Sequence, residues 1–464
     1  MGTSQDTFTH KARVAAKAVL RYFPRTRQWA RKHWWDHERK QYEQLISTEP
    51  VDPKVVVFSC FMGRSYADSP RAIYEQMLQD PRFDDYELYW VFRESKIDAF
   101  RDDPRLARAH LVVRSTEEYQ RVMGRAGYWI INNRCPEYMY PRPGQTYVQC
   151  WHGTPLKRLG YDVQVETTNA LNTTLELARR FELDSSKWDY LISPSPFTSL
   201  HLSDAFGLPQ ERRGDVVLEV GYPRNDVVAR ACETPETLAR AQARIKEALG
   251  VTTDKKLLLY APTWRDNDYK AGVGYVQDTL IDFDLLQQEL GDEWTILFRP
   301  HYYIANEFDF DKYGDFVYNA ANVPDINELY IIADALLTDY SSVFFDYSVT
   351  NRPMLFYWPD YAYYDEHVRG FYFDPHEIPG PKCLTTPEVV QAVKDLDSWR
   401  DTYGADYQRF REYFLPKDDG HAAERAIECI FFGKKDSSAG AATSDRLSTS
   451  AEGGAPAESD GPAA

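Results

Sequence analysis

From Lys54 onward the hydrophobic residues gather in short β-rich runs, separated by amphipathic stretches of helical length. The run 55–58 reads as a buried strand, 70–78 as a helix and 86–92 as a second strand. Further strand-like runs follow at 111–113, 128–131, 147–150, 190–193 and 216–220. A long helix is expected next, capped by Thr234, with Pro235 in its first turn and Gly250 closing it. A second series begins at 256–260 and continues at 295–298, 316–318, 335–338 and 354–357. Helical segments lie between these runs, at 279–290, 325–333 and 342–349. Such alternation predicts parallel, doubly wound sheets with right-handed crossovers. We therefore expect an α/β protein of two Rossmann-like domains joined near 225–250, with helices over 386–433 ending the fold.

The two ends break the pattern. Residues 8–46 read as helix, broken near Pro24, in which Lys11, Arg13, Lys17, Arg21, Arg25, Arg27, Arg31 and Lys32 are interleaved with Trp29, Trp34 and Trp35. Up to residue 45, ten Lys and Arg stand against four Asp and Glu, so the rest of the chain carries −23 of a formal net −17. Basic residues mixed with tryptophan suit a helix lying in an anionic membrane interface. The plainer alternative is a helix packed on the globular body with a solvated basic face. Beyond Lys435 the chain is mostly Ser, Ala, Gly, Pro and acid, which predicts a disordered tail.

Composition adds exclusions. A length of 464 residues suits two domains of ordinary size, and the acidic balance disfavours nucleic-acid binding. The six cysteines form no CxxC pair, which argues for reduced thiols and against a zinc site or disulfide framework. No signal-peptide-like apolar region opens the chain and no run of 18 apolar residues occurs. A soluble protein, or one attached to a membrane surface without crossing it, is expected.

Candidate chemistry collects just past the carboxyl ends of strands, where open α/β sheets bind ligands. After 147–150 comes Trp151-His152-Gly153-Thr154-Pro155, in which Gly153 is expected to let the backbone turn and Thr154-Pro155 to start a helix. A histidine would thereby sit beside free backbone N–H groups able to hold an anion, with Lys157 and Arg158 adding positive charge. In the second half, Pro262-Thr263-Trp264-Arg265, Arg299-Pro300-His301 and Thr338-Asp339-Tyr340-Ser341-Ser342 each follow a strand. Asp346 lies one helical turn beyond Ser342, placed to bond a ribose hydroxyl or to hold an Arg or His. Any one such turn is explicable as capping; three together suggest a site for a diphosphate nucleotide, with Arg299 and His301 on the phosphates. Asp282, Asp284, Asp309 and Asp311 resemble metal motifs but read as solvated faces, so no metal is expected. His367, His376 and the tyrosines at 361–364 suit an acceptor channel or aromatic packing equally. No Gly-x-Gly-x-x-Gly or Walker loop is present, which disfavours a dehydrogenase or an ATPase.

Assembled in order, Trp151–Lys157, Gly221-Tyr222-Pro223-Arg224-Asn225-Asp226, Ala261–Arg265, Arg299–His301 and Thr338–Ser342 with Asp346 resemble the CDP-glycerol glycerophosphotransferase family of teichoic acid synthesis. The resemblance covers 54 to about 430. It implies a GT-B-like fold with the site in the cleft between two Rossmann domains. It also implies a cofactor- and metal-independent transferase at the cytoplasmic face of the membrane, taking glycerol phosphate from CDP-glycerol to a lipid-linked or polymeric acceptor and releasing CMP. The resemblance makes 51–225 the acceptor-side domain and 226–433 the CDP-glycerol domain; they are flanked by 1–50, read from composition as a membrane-associating helical segment, and by the disordered tail 434–464, which matches nothing in the family pattern. His152, Arg299 and His301 would be catalytic, and Gly153, Thr154, Pro155, Arg224, Pro262, Thr263, Ser341, Ser342 and Asp346 would bind substrate. His152 is then either the general base for the acceptor hydroxyl or a phosphate-binding imidazolium. Rival readings are a CDP-ribitol or other CDP-alditol phosphotransferase, a GT-B nucleotide-sugar glycosyltransferase, and a membrane-surface scaffold without turnover.

Overall fold

A computed structural model describes residues 24–163, 173–263, 269–270, 274–275, 281–300, 308–361 and 370–434. The first domain is one parallel sheet built from β1 (Asp52–Ser59), β2 (Glu87–Phe92), β3 (Ala109–Val113), β4 (Ala126–Ile131), β5 (Thr146–Gln149), β6 (Tyr190–Ser193) and β7 (Val217–Glu219). Its spatial order is β3-β2-β1-β4-β5-β6-β7. The second sheet comprises β8 (Lys256–Ala261), β9 (Trp294–Phe298), β10 (Val317–Asn319), β11 (Ala335–Thr338), β12 (Met354–Tyr357) and β13 (Lys382–Cys383), in the order β10-β9-β8-β11-β12-β13. Both sheets are parallel throughout, so each repeats the doubly wound order in which the first strand lies beside the fourth. The chain is thus two Rossmann-like domains facing a cleft, GT-B-like in layout.

The continuous apolar runs explain the central strands. Val55, Val56, Val57 and Phe58 are wholly buried because helices cover both faces of the sheet. The helix at Pro235–Leu249 has its Thr234 cap bonded to the Thr237 N–H and closes on Gly250 at φ 69°. Over 386–433 the structure has helices at Thr386–Lys394, Trp399–Phe414 and Ala422–Phe432. The last of these packs on α2 (Asp68–Met77) of the first domain, so the chain returns to the body it left.

That return is held at the segment 221–226. Gly221 has φ 89°, and a Cβ there would lie 2.4 Å from the Lys417 carbonyl, so only glycine lets the two strands of chain approach. The Tyr222 N–H donates to Asp418, Asn225 donates to both Asp346 and Asp418, and the Ala422 and Ala423 N–H groups donate to Asp226. Arg224 stacks 3.6 Å over the Tyr222 ring and meets Asp346 in two bonds, Nε–Oδ2 3.2 Å and Nη2–Oδ1 3.0 Å. Arg224 is 4% exposed and Asp346 7%, so this pair is interior. Across the domains Arg71 also meets Asp325 at 3.0 Å.

At the amino end the described helix α1 (Pro24–Ile46) begins at the proline; residues 1–23 lie outside the described residues. Its later turns pack on the first domain: Tyr42 and Ile46 are buried, and Trp35 stacks on Tyr138. Trp29 and Trp34 remain exposed, at 61% and 52%. The tail expected beyond 434 also lies outside the described residues.

Removing one partner of a buried ion pair leaves the other charge uncompensated. Asp346→Ala should therefore lower the unfolding free energy by about 3–5 kcal/mol. Urea denaturation checks this; a loss under about 1 kcal/mol would mean that water reaches Arg224.

Candidate functional site

Three strand ends of the first domain converge on His152. β5 ends in the wholly buried Gln149, whose Oε1 accepts the Trp151 N–H at 2.9 Å. Trp151 sits at φ 49°, a left-handed conformation costly for a bulky residue, and its ring packs on Phe206 and Phe181. The turn therefore comes from Trp151 and not from Gly153. What Gly153 supplies is closeness: a Cβ there would stand 3.1 Å from Ser342 Oγ of the other domain.

No helix starts at Thr154-Pro155. Residues 154–159 run extended across the cleft, because their backbone groups pair with the second domain rather than with their own next turn. Tyr372 donates its N–H to the Leu156 carbonyl at 3.0 Å, Arg158 donates to the Gly370 carbonyl at 3.1 Å, and Lys157 bridges Phe371. Among the described residues the next α-helix is Thr174–Ser185, with its own capping box from Thr173 and Glu176.

His152 Nδ1 lies 2.7 Å from the Asn132 carbonyl, which can only accept. Nδ1 therefore carries the proton, and Nε2 is left with its lone pair. Asn132 follows β4, and its side chain accepts the Phe61 N–H after β1 at 2.8 Å while its amide contacts Cys60 Sγ. One asparagine thus fixes the loops of three strands. His152 is exposed toward the cleft, its ring packed against those of Phe61 and Trp151. Burial pushes its pKa down from 6.5 to about 4, against the Asn132 bond and helped by the positive Arg224, so the imidazole is neutral at pH 7.

Two cavities share Trp151 and His152. One, of about 220 Å³, spans the domains and is lined by Gly153, Thr154, Pro155, Leu156, Thr263, Tyr340, Ser341 and Ser342 among others. The structure thus brings together six of the substrate-site residues expected from sequence. Thr338 and Asp339 brace this wall: Thr338 Oγ1 donates to the Ala261 carbonyl, and Asp339 accepts the Thr263 N–H at 2.8 Å. The helix after Ser342 is only Val343–Tyr347, so its dipole is small, and the Ser342 hydroxyl makes no capping bond. The second cavity, of about 630 Å³, lies on the first-domain side of His152.

Other expected residues sit apart. Arg224 and Asp346 form the interior pair beneath the cleft and line neither cavity. Pro262 also stays out of both linings. Arg299 directs Nη1 to the carbonyls of Ala320 and Val323, at 3.0 and 2.8 Å, and lines neither cavity. His301, Trp264, Arg265, His367 and the tyrosines 363 and 364 lie outside the described residues. His376 packs edge-on against Tyr361 and Trp358. Of the acidic motifs, Asp282 caps the helix Phe283–Leu290, Asp284 pairs with Lys312 and Asp309 accepts the Lys312 N–H. Among the described residues no acidic, His or Cys cluster suited to a metal occurs. Sequence reasoning missed Asn132 and Asp68, although Asn132-Asn133-Arg134 follows a strand end as the accepted motifs do. Asp68, at φ 63°, lies 3.8 Å from Arg224, and burial raises its pKa to about 6.

The chain is 37% identical over 388 residues to the teichoic acid poly(glycerol phosphate) polymerase of Staphylococcus epidermidis, covering 83% of this chain and 52% of that protein. It therefore spans about half the length of that relative. It is 34% identical over 389 residues to the teichoic acid glycerol-phosphate transferase of Staphylococcus aureus, covering 84% of this chain and 95% of the other. The solved wall teichoic acid polymerase TagF superposes with a TM-score of 0.76 at 34% identity, over 89% of this chain and 97% of that one, and TagF has also been solved after soaking with CDPG. The model of CDP-glycerol:poly(glycerophosphate) glycerophosphotransferases matches residues 41–432, and the chain belongs to that family.

Proposed function

We propose that the protein transfers glycerol phosphate from CDP-glycerol to an acceptor hydroxyl and releases CMP, in synthesis of a teichoic acid or related glycopolymer. The observation that carries this reading is a neutral His152, its Nδ1 committed to Asn132, standing where two cavities meet. Family membership supports the donor, as do the glycerol-phosphate names of the two relatives and the CDPG soak of TagF. The same names favour glycerol over ribitol, and over a nucleotide sugar.

In the reaction the acceptor oxygen bonds to the β-phosphorus, and the bond from that phosphorus to the bridging oxygen breaks. CMP leaves with the electron pair, and the hydroxyl proton passes to Nε2 of His152. We assign the interdomain cavity to the donor, with Gly153, Thr154, Pro155, Thr263, Ser341 and Ser342 around its diphosphate. Phosphoryl transfer depends mainly on such positioning and on neutralising developing charge. Arg299, held by the Ala320 and Val323 carbonyls and lining neither cavity, contributes positive charge from behind the wall, and we assign His301 to the phosphates. Arg224, held by Asp346 beneath the cleft, acts through its positive field and positions the cleft walls. We further place the enzyme at the cytoplasmic face of the membrane, held by the basic, tryptophan-bearing amino segment. No helix among the described residues is long and apolar enough to cross a membrane.

CMP release from CDP-glycerol, assayed beside CDP-ribitol and UDP-sugars, tests the reading. His152→Ala should lower kcat by roughly 10²–10⁴-fold, as for a lost general base, while calorimetric donor binding and the melting profile persist. Full activity in that variant would return His152 to packing. Because the base must be unprotonated and its pKa is depressed, kcat should hold steady as pH falls through 6.5 and decline only toward about 4; an acid limb centred at 6.5 or above would contradict the neutral ring. Trp29→Ser with Trp34→Ser should weaken binding to anionic liposomes without changing Tm, since both rings are exposed. Equal liposome binding would remove these rings from the membrane contact.

A further inference from the structure

The larger cavity beside His152 is not the one we assign to the donor. It opens at the carboxyl ends of β1, β3, β4 and β5, at the point where the sheet order reverses, which is where open α/β sheets bind ligands. Its charged lining is Arg114, Arg134, Arg180 and Lys187 against Glu38, Glu137 and Asp184. Most of these are already committed. Arg180 pairs with Glu137, and Lys187 donates to the Glu137 carbonyl at 3.2 Å. Asp184 accepts from the Cys135 N–H, the Tyr147 hydroxyl and the Trp188 indole, and burial raises its pKa to about 6.

Arg114 and Arg134 are different. Each follows a strand end, and neither guanidinium makes a hydrogen bond or ion pair among the described residues. Arg134 stacks 4.7 Å over the Phe181 ring, so it is held in place without its donors being used. Burial, then the nearby Arg180, lowers its pKa against the opposing pull of Asp184 and Glu137, neither of which bonds to it. Trp34, Trp35 and Tyr138 form the outer wall, on and against α1. The cavity is therefore basic at its floor, aromatic at its mouth, and bounded by His152 on the donor side.

We propose that this cavity is the acceptor subsite, in which Arg114 and Arg134 hold a phosphodiester of the growing acceptor chain and leave its terminal hydroxyl at His152. The inference rests on the reading of the protein as a glycerophosphotransferase, and it names residues that would select an anionic, phosphodiester-bearing acceptor over free glycerol. A guanidinium fork matches two phosphate oxygens, and a phosphodiester supplies the charge that these two arginines lack. With α1 as its wall, the cavity takes the chain from the side on which the amino segment lies.

Calorimetric titration of the full chain with a synthetic glycerol phosphate trimer, with no donor present, tests this. The wild type should bind with an affinity that falls steeply with salt. Arg114→Gln and Arg134→Gln should each weaken trimer binding about tenfold or more, as expected for a lost charged hydrogen bond. The dissociation constant for CDP-glycerol should stay unchanged. Arg114 makes no bond that the fold needs, so its variant keeps the test valid if Arg134→Gln melts early. Absence of trimer binding, equal binding by the Arg114 variant, or a loss confined to CDP-glycerol would overturn the proposal. Displacement of the trimer by phosphatidylglycerol vesicles but not by a longer phosphodiester oligomer would also overturn it, because a lipid headgroup would then be the occupant. Arginine-dependent trimer binding in a protein that releases no CMP would support the subsite while refuting the donor reading, so the two fail separately.

Discussion

A guanidinium enclosed by protein must have its counter-charge, and the position of Arg224 makes that requirement govern the whole molecule. Arg224 belongs to the segment leaving the first sheet, and Asp346 to the helix that follows β11 of the second. Their bidentate bond thus sets one domain against the other with little angular freedom. Asn225 extends the pair to Asp418, and Asp226 receives the first N–H groups of the last helix, so the returning chain joins the same knot. Each member is costly to desolvate alone and acceptable only together.

The cleft inherits its precision from that knot. With the domains fixed, the extended stretch after Trp151 can pair its backbone with 370–372, and Gly153 can approach Ser342 closely enough to leave one narrow cavity between them. On the first-domain side, Asn132 orients the imidazole by accepting from Nδ1 and anchors the loop after β1 through its side chain. A histidine oriented by a carbonyl and kept neutral by the protein crowded about it and by nearby Arg224 suits proton abstraction, whereas one beside a carboxylate would be drawn toward the charged form. The orientation of the imidazole thus follows from Asn132, a group placed behind the site.

Local pattern determined the two parallel sheets, the helix from Thr234 to Gly250 and the strand-end motifs, because apolar runs and capping chemistry are written within a few residues of one another. It also carried the family resemblance, since the motifs kept their order. What local pattern could not decide was what each motif faces. Thr154-Pro155 has the residues of a helix start, yet the residues that follow it, Leu156 to Arg158, pair with 370–372, more than two hundred positions away. Asp346 was expected to bond a ribose hydroxyl or to hold an Arg or His; the structure has it holding Arg224 in the interior, a pairing across 122 positions whose partner no local spacing encodes. Gly153 looked like a turn and is a close approach; the turn belongs to Trp151. Asn132 and the arginines at 114 and 134 carried the same strand-end signal as the accepted motifs. Only the reversal of strand order between β1 and β4 decided that their loops converge on His152, because convergence is a property of how sheets are wound and not of the runs that form them.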